Sequence, residues 1–449
     1  MSRFFWCGQI FNSPDPMQRI LIANRGEIAL RIIRTCREMN ITSVLAHSTA
    51  DRDSLAMRQA DETVCIGPPP PLQSYLNIQA VAGAARSFNC DALHPGYGFL
   101  SESASLARAC SEANVTFIGP RAHTLEQMGD KIAARQAALS AGIPVIPGSK
   151  EEVSSAHQAN QAAMEVGYPV MLKAAMGGGG IGIRPVNSAQ EMHRLFEETR
   201  AEAAAAFGDG RLYVEKQLSG MRHVEVQVMG DGDGNAVHLF ERDCSLQRRR
   251  QKLIEEAPAV LVDQAVRNQL HQAAVRLTCF LGYAGAGTVE FLVCGSDYYF
   301  MEMNTRLQVE HGITEMITGV DLVAAQLSVA GGTGIPWAQD DIFCQGHAME
   351  CRINAEDPKT ALPSPGIVQS LELPSGPGVR VDTALLQGAE IPVWYDSLAA
   401  KIMAHHENRD LTRQRMLRCL NETRITGVKV NTERYRELIV RDQFASATV

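Results

Sequence analysis

Residues 300–312 read FMEMNTRLQVEHG. Every second position from Glu302 is polar: Glu302, Asn304, Arg306, Gln308 and Glu310, with Met303, Thr305, Leu307 and Val309 between them. A strand alternates its faces with period two, so the spacing predicts one strand face lined by all five for as long as the strand lasts. The plain reading is the wet face of a half-buried strand. Such faces carry Lys, Thr and Ser, however, whereas two carboxylates and an amide are hard oxygen ligands and a guanidinium is a planar anion receptor. The segment reads as a place where a cation and an anion are bound side by side.

Four further groups come into question. If GTVEFLV (287–293) pairs with YYFMEMN (298–304), Glu290 faces Glu302 across a hairpin, and two opposed carboxylates repel unless a cation neutralises them. Gly177–Gly180 and Gly182 follow Lys173, so side-chain-free amides can close over phosphate oxygens, with Lys173 and Lys131 (in MGDK) as point charges. No GK[ST] follows, which excludes a Walker loop. The polar run ERDCSLQRRRQK (241–252), which contains Gln247 and Lys252, has no reading of its own, and His223 and Arg352 taken singly read as structural.

The elements that must position these groups change character along the chain. RILIAN (19–24) is an apolar strand, followed by a helix with Ile28, Ile32, Cys36 and Met39 on one stripe, then by the strand TSVLAHS (42–48). Further alternation through CDALHPGYGF and VTFIGP predicts a doubly wound α/β start; its first turn, NRGEIA, lacks the GxGxxG of a dinucleotide site. GPPPPLQSYLN (67–77) is a loop, and a long helical stretch begins near Thr124. From about Gly142 the pattern becomes antiparallel: strand, glycine loop and strand over 168–186, a strand over 211–218, and a hairpin over HVEVQVMGDGDGNAVHLFERDCS. A third region opens after about Gly331.

The chain has 449 residues, 45% hydrophobic and 20% charged, enough for two or three domains, with a formal net charge of -8. That balance argues against nucleic acid as the main partner. Eleven cysteines without a CxxC pair indicate neither a disulfide framework nor a zinc site, and point to a reducing cytoplasm. No apolar run is long enough for a membrane span. MSRFFWCGQIFNSPDP (1–16) looks like neither a signal nor a transit peptide and is expected to be an extension.

In chain order stand IANRGEIALRIIR, ADETVCIG, SYLNI, HPGYGFLSE, FIGP, MGDK, HVEVQV, ERDCS, EEAP, MNTR with QVEH, TEMITGVDL and ECRINAEDP. This series resembles that of biotin carboxylases, members of the ATP-grasp superfamily, from Arg19 to about Asn431. The resemblance implies mixed α/β and α+β architecture: a doubly wound pre-ATP-grasp domain (17–130), an ATP-grasp domain (131–345) with a mobile glycine-rich lid at about 145–217, and a C-terminal α+β domain (346–449). It implies Lys131, Lys173, Gly179 and Gly180 on ATP phosphates, and Glu215, Lys216 and Leu218 around adenine. His223, Gln247 and Arg250 are implied as nucleotide contacts, and Glu290, Glu302 and Asn304 as ligands of Mg²⁺ or Mn²⁺. Lys252, Arg306, Gln308 and the Val309 backbone are implied around bicarbonate, Glu310 as the base, and Arg352 beside the biotin ureido oxygen.

The implied activity is that of a ligase: ATP-dependent carboxylation of biotin on a carrier protein, the first half-reaction of acetyl-CoA carboxylase. Propionyl-CoA, pyruvate or urea carboxylase is the alternative, and a non-catalytic nucleotide- or carrier-binding paralogue is the reading from another class. Without an AMKM-like motif the carrier is expected in trans, along with a carboxyltransferase subunit, and relatives suggest a homodimer. Three positions depart from the family pattern: Ile181 where Arg is usual (with Met176 for Gly), Arg250 for His, and Gly312 for the Pro of VEHP. The chain also stops earlier than is common, after ASATV.

Overall fold

The apolar runs of the first hundred residues form parallel strands, as runs buried on both faces do. In this computed structural model, which describes residues 17–177, 181–248 and 251–446, one sheet contains β1 (Arg19–Ile22), β2 (Thr42–Ser48), β3 (Glu62–Gly67), β4 (Ala92–His94) and β5 (Thr116–Phe117). Its order is β3-β2-β1-β4-β5 and every pairing is parallel. The helix Gly26–Glu38 buries Ile28, Ile32 and Cys36, the stripe its spacing implied. Strand order reverses between β1 and β4, so the loops leaving their carboxyl ends part there. Asn24 ties them together, donating from Nδ2 to the carbonyls of Pro95 (2.7 Å) and Tyr97 (2.8 Å).

The stretch after Thr124 is two helices rather than one long one, Ala122–Gly129 and Lys131–Ser140. Asp130 causes the break: its Oδ1 accepts from the amides of Ile132 (2.9 Å) and Ala133 (3.0 Å), capping the second helix. Lys131 is thereby fixed at a helix start.

A small antiparallel sheet follows, with β6 (Val170–Ala174), β7 (Ile183–Val186) and β8 (Leu212–Lys216) in the order β7-β6-β8. Its apolar face, with Val170, Leu172, Val186, Leu212 and Val214, packs on Phe196 of the helix Ala189–Phe207. Gly177 leaves β6 at φ +95°, and a Cβ there would overlap the Phe207 ring, so only glycine fits. Gly179 and Gly180 lie outside the described residues, as does Arg250.

The remaining strands are β9 (Arg222–Asp231), β10 (Ala236–Arg248), β11 (Gln251–Ala257), β12 (Ala284–Cys294), β13 (Asp297–Asn304), β14 (His347–Asn354), β15 (Gly366–Ile367), β16 (Ser370–Glu372), β17 (Val379–Thr383), β18 (Glu390–Ile391), β19 (Leu398–His406) and β20 (Arg424–Thr426). Eight of them form one antiparallel sheet, β13-β12-β9-β10-β11-β14-β19-β17, while β15 pairs with β18 and β16 with β20. The β11–β14 pairing carries the large sheet straight across 345/346, so the third region shares its sheet with the second. Val224, Val226, Val228, Val289 and Phe291 cover one side of this sheet against the helix Gln264–Phe280. The other side presents Glu225, Gln227, Arg242, Thr288 and Glu290, all buried.

The alternating run 302–310 does not stay in one strand. β13 ends at Asn304, and the helix His311–Thr318 begins directly after Glu310. The amide of Thr305 donates to Glu102 Oε1 (3.1 Å) instead of extending a ladder, and Leu307 turns fully into the core.

Candidate active site

Lys252 is the hub of the buried polar face. Its Nζ lies 2.5 Å from Glu225 Oε2, 3.0 Å from Glu290 Oε1 and 2.8 Å from Glu310 Oε1. The other oxygen of Glu310 is 2.9 Å from Arg352 Nη2, which is also 2.5 Å from Glu255 Oε1. Behind them the fully buried Arg242 pairs with Glu225 (2.6 Å) and donates to Gln227 (2.7 Å) and Thr314 (2.9 Å). Burial alone would push the carboxyl of Glu310 up. Lys252, Arg352 and Arg242 outweigh it and hold Glu310 well below the usual carboxylate range. Glu290 is lowered in the same way, burial being overcome by Lys252 and His223. Glu310 also precedes a helix start, where a negative charge meets the positive end of the dipole.

The turn after β13 lets the five staggered side chains converge without a common strand. Glu290 pairs with Glu302 in the β12–β13 register, as the hairpin implied, and Asn304 Nδ2 donates to Glu290 Oε1 (2.8 Å). Arg306 donates to Asn304 Oδ1 (3.1 Å), Gln308 Oε1 (3.2 Å) and, through Nε, Glu102 Oε2 (2.9 Å). Lys131 Nζ lies 2.6 Å from Glu302 Oε2. His223 Nε2 is 2.8 Å from Glu290 Oε2, and its Nδ1 meets Gln247 Nε2 at 2.7 Å. Burial disfavours the imidazolium of His223, but Glu290 prevails and raises its pKa.

Lys173 belongs to a second group on the small sheet, where Glu215 pairs with both Lys173 and Arg135. Lys216 Nζ donates to the carbonyls of Gly167 (2.8 Å) and Tyr168 (3.1 Å), and Leu218 lies beyond the end of β8. The carbonyl of Val309 accepts from Lys401 Nζ (2.8 Å).

Glu290, Glu302 and Asn304 offer the hard oxygens that Mg²⁺ or Mn²⁺ takes. Here cationic side chains neutralise them: Lys131 on Glu302, Lys252 and His223 on Glu290. Among the described residues, ligand atoms converge instead at His223, Glu225 and Glu290, and at Glu225, Cys244 and Glu310. Lys252 Nζ already touches carboxylates of both groups, so an ammonium is the resident cation there.

Two of the family models that match the chain are described as biotin carboxylase, N-terminal domain (residues 16–125) and C-terminal domain (350–449); between them a carbamoyl-phosphate synthase L chain ATP-binding domain matches 130–337. A biotin carboxylase of Pseudomonas aeruginosa is 50% identical over 424 residues, 94% of either chain. The chain belongs to the biotin carboxylase family. Its fold superposes on the biotin carboxylase–β,γ-ATP complex of Campylobacter jejuni with a TM-score of 0.94 at 44% identity, covering 96% of this chain and 97% of that one. The biotin carboxylase domain dimer of Hydrogenobacter thermophilus 2-oxoglutarate carboxylase, solved with MgADP, ADP and bicarbonate, gives 0.93 at 42% identity and 96% coverage of both.

Several residues of this biotin carboxylase site escaped the sequence. Glu225 and Gln227 alternate with Val224, Val226 and Val228, the same period-two signal as at 302–310, yet only the sheet shows that their face is the inner one. Glu102 and Glu255 stand in HPGYGFLSE and EEAP, but nothing local places them or Lys401 in the site.

Gly312 departs from the family's proline for a visible reason. A Cβ at this position would overlap Met403 Sδ, which fills the space. Gly312→Pro loses no intrahelical bond in a first turn, but must displace Met403. The expected cost is about 1–3 kcal/mol of stability, read as a lower thermal midpoint that Met403→Ala partly restores.

Proposed function

We propose that this chain carboxylates biotin on a separate carrier protein, using ATP and bicarbonate by way of carboxyphosphate. The observation that carries this reading is the chain Lys252–Glu310–Arg352 beside Arg306, a base held between anion-binding cations. Bicarbonate is an anion and a poor electrophile, and it must meet the phosphates of ATP. Two unit charges 4 Å apart interact by about 4 kcal/mol at an effective dielectric near 20, a barrier that positioned cations remove. Lys252, Arg306, Gln308 and the Val309 backbone receive bicarbonate; Glu310 takes its proton, the oxygen attacks the γ-phosphorus, and ADP leaves as the bond to the bridging oxygen breaks. A bicarbonate that draws Lys252 away from Glu310 raises the basicity of that carboxylate when it is needed. Carboxyphosphate then yields CO₂ and phosphate, the phosphate removes the N1 proton of biotin while Arg352 steadies the ureido oxygen, and N1 attacks the CO₂ carbon to give carboxybiotin.

The nucleotide side follows from the same reading. Lys131, Lys173, Gly179 and Gly180 take the phosphates; Glu215, Lys216 and Leu218 border adenine; and His223, Gln247 and Arg250 complete the contacts. A divalent ion held by Glu290, Glu302 and Asn304 would supply charge neutralisation at the phosphates. The parts 17–130, 131–345 and 346–449 serve as pre-ATP-grasp, ATP-grasp and C-terminal domains. Acetyl-CoA is the proposed final acceptor, as part of fatty acid synthesis, with a carboxyltransferase as partner. The Hydrogenobacter relative was solved as a domain dimer, which supports a homodimer. The free cysteines among the described residues support a reducing cytoplasm, and no single described helix is long and apolar enough to cross a membrane.

The test is ATP hydrolysis with and without bicarbonate and free biotin. Hydrolysis that requires bicarbonate and rises with biotin is expected; a flat response to both leaves only nucleotide binding. Co-purification of the partner chains identifies the acceptor.

A further inference from the structure

Behind Arg352 lies a pair of carboxyls that the mechanism does not use. Glu255 on β11 and Glu350 on β14 stand directly opposite each other in the antiparallel register, and both are completely buried. Directly opposed residues share a face with closely spaced Cβ atoms, and like charges there destabilise the sheet. Among the described residues neither carboxyl oxygen of Glu350 has a hydrogen-bond partner, and Glu255 has only the close contact with Arg352. Glu255 has the guanidinium of Arg352 at 2.5 Å as an ion-pair partner, whereas no ion pair among the described residues reaches Glu350. Arg352 is two residues on from Glu350, on the same face, and opposes Lys401 of β19. The charged groups around the pair are Arg352, Lys401, Lys252 and Glu310, and Tyr97, Tyr435, Cys244 and Cys351, all neutral and pushed up by burial, complete the titratable surroundings. Each cation is already engaged: Arg352 by Glu255 and Glu310, Lys252 by three carboxylates, and Lys401 by Glu27 and Asp382. Among the described residues a second full charge on the pair has no counterion left, and an unpaired buried carboxylate takes up a proton instead.

We propose that Glu255 and Glu350 hold one proton between them, residing on Glu350, and that this neutral partner sets how firmly Arg352 is shared between Glu255 and Glu310. Glu350 is thus a positioning residue that acts through Arg352, and the inference rests on the reading of Arg352 as the residue facing biotin. With the proton in place, Arg352 divides its terminal nitrogen between Glu255 and Glu310. When the proton leaves, a dianion draws the guanidinium back from Glu310 and from the ureido oxygen. The perturbed acidities agree: burial holds Glu350 well above the carboxylate range, and lifts Glu255 to about 7 against the opposing pull of Arg352.

The experiment has two arms. In the first, the infrared spectrum of the whole wild-type protein is titrated with pH and compared with that of Glu350→Gln. A protonated-carboxyl band that fades as pH rises and is missing from Glu350→Gln is expected. Its absence from the wild type at neutral pH overturns the proposal, with no variant required. The second arm measures kcat/KM for biotin against pH. Glu350→Gln keeps the neutral state permanently, so its alkaline limb moves up by about one pH unit or more, while KM for ATP stays unchanged. Superimposable pH profiles overturn the positioning role. A wild type without bicarbonate-dependent turnover defeats the functional reading instead, and the infrared band still decides the pair.

Discussion

Glu310→Gln is expected to lower bicarbonate-dependent turnover by about 10²–10⁴-fold, the usual contribution of a positioned general base, while ATP binding persists. The structure separates this residue's chemistry from its structural work. Its two oxygens engage Lys252 and Arg352, but both cations have other carboxylates: Lys252 keeps Glu225 and Glu290, and Arg352 keeps Glu255. The amide therefore leaves no cation unpaired, and the fold tolerates it. Glu310 touches none of Lys131, Lys173 or His223, so the affinity for ATP, read by calorimetric titration, should stay within a few-fold. Retention of the full rate would mean that the proton goes elsewhere. Loss of ATP binding together with the rate would mean that Glu310 maintains the site's shape and nothing more.

The pieces of this site were unevenly legible in the sequence. The run Glu302–Glu310 announced itself by residue type, and the opposition of Glu290 and Glu302 followed from two short apolar strands. The point where the strand stops was hidden, because the group that ends it, Glu102, is 203 residues away from Thr305. The break at Asp130 had a local signal, an N-cap aspartate ahead of a helix, but the apolar pattern runs on through it. ERDCSLQRRRQK had no reading of its own. Only the order β10-β11-β14 shows that Lys252 points among carboxylates, since sheet neighbours are fixed by long-range pairing rather than by local propensity. The inner polar face was the hardest part, because buried charges read as surface charges until their partners are known.

Lys252→Met should combine a large loss of activity with a reversed dependence of stability on pH. Removing a positioned cation from a developing charge costs about 10²–10³-fold in rate. Breaking a buried ion pair from one side costs about 3–5 kcal/mol. In the wild type, Glu290 and Glu310 titrate below their ordinary range. Their contribution to stability is therefore present above the ordinary carboxylate pKa and is lost as pH falls through the lowered values. Without Lys252 the burial of Glu290 and Glu310 loses its largest opposing charge, and their pKa values rise. Raised carboxylates oppose folding at neutral pH, and the penalty is relieved as acid protonates them. The stability gap between wild type and Lys252→Met should thus narrow as pH is lowered from about 8 to about 5, measured by urea unfolding at each pH. A gap that stays constant would show that Lys252 fills space without neutralising its neighbours. The charge argument for the bicarbonate site would then fall with it, because an ammonium that does not hold three carboxylates cannot hold a fourth anion either.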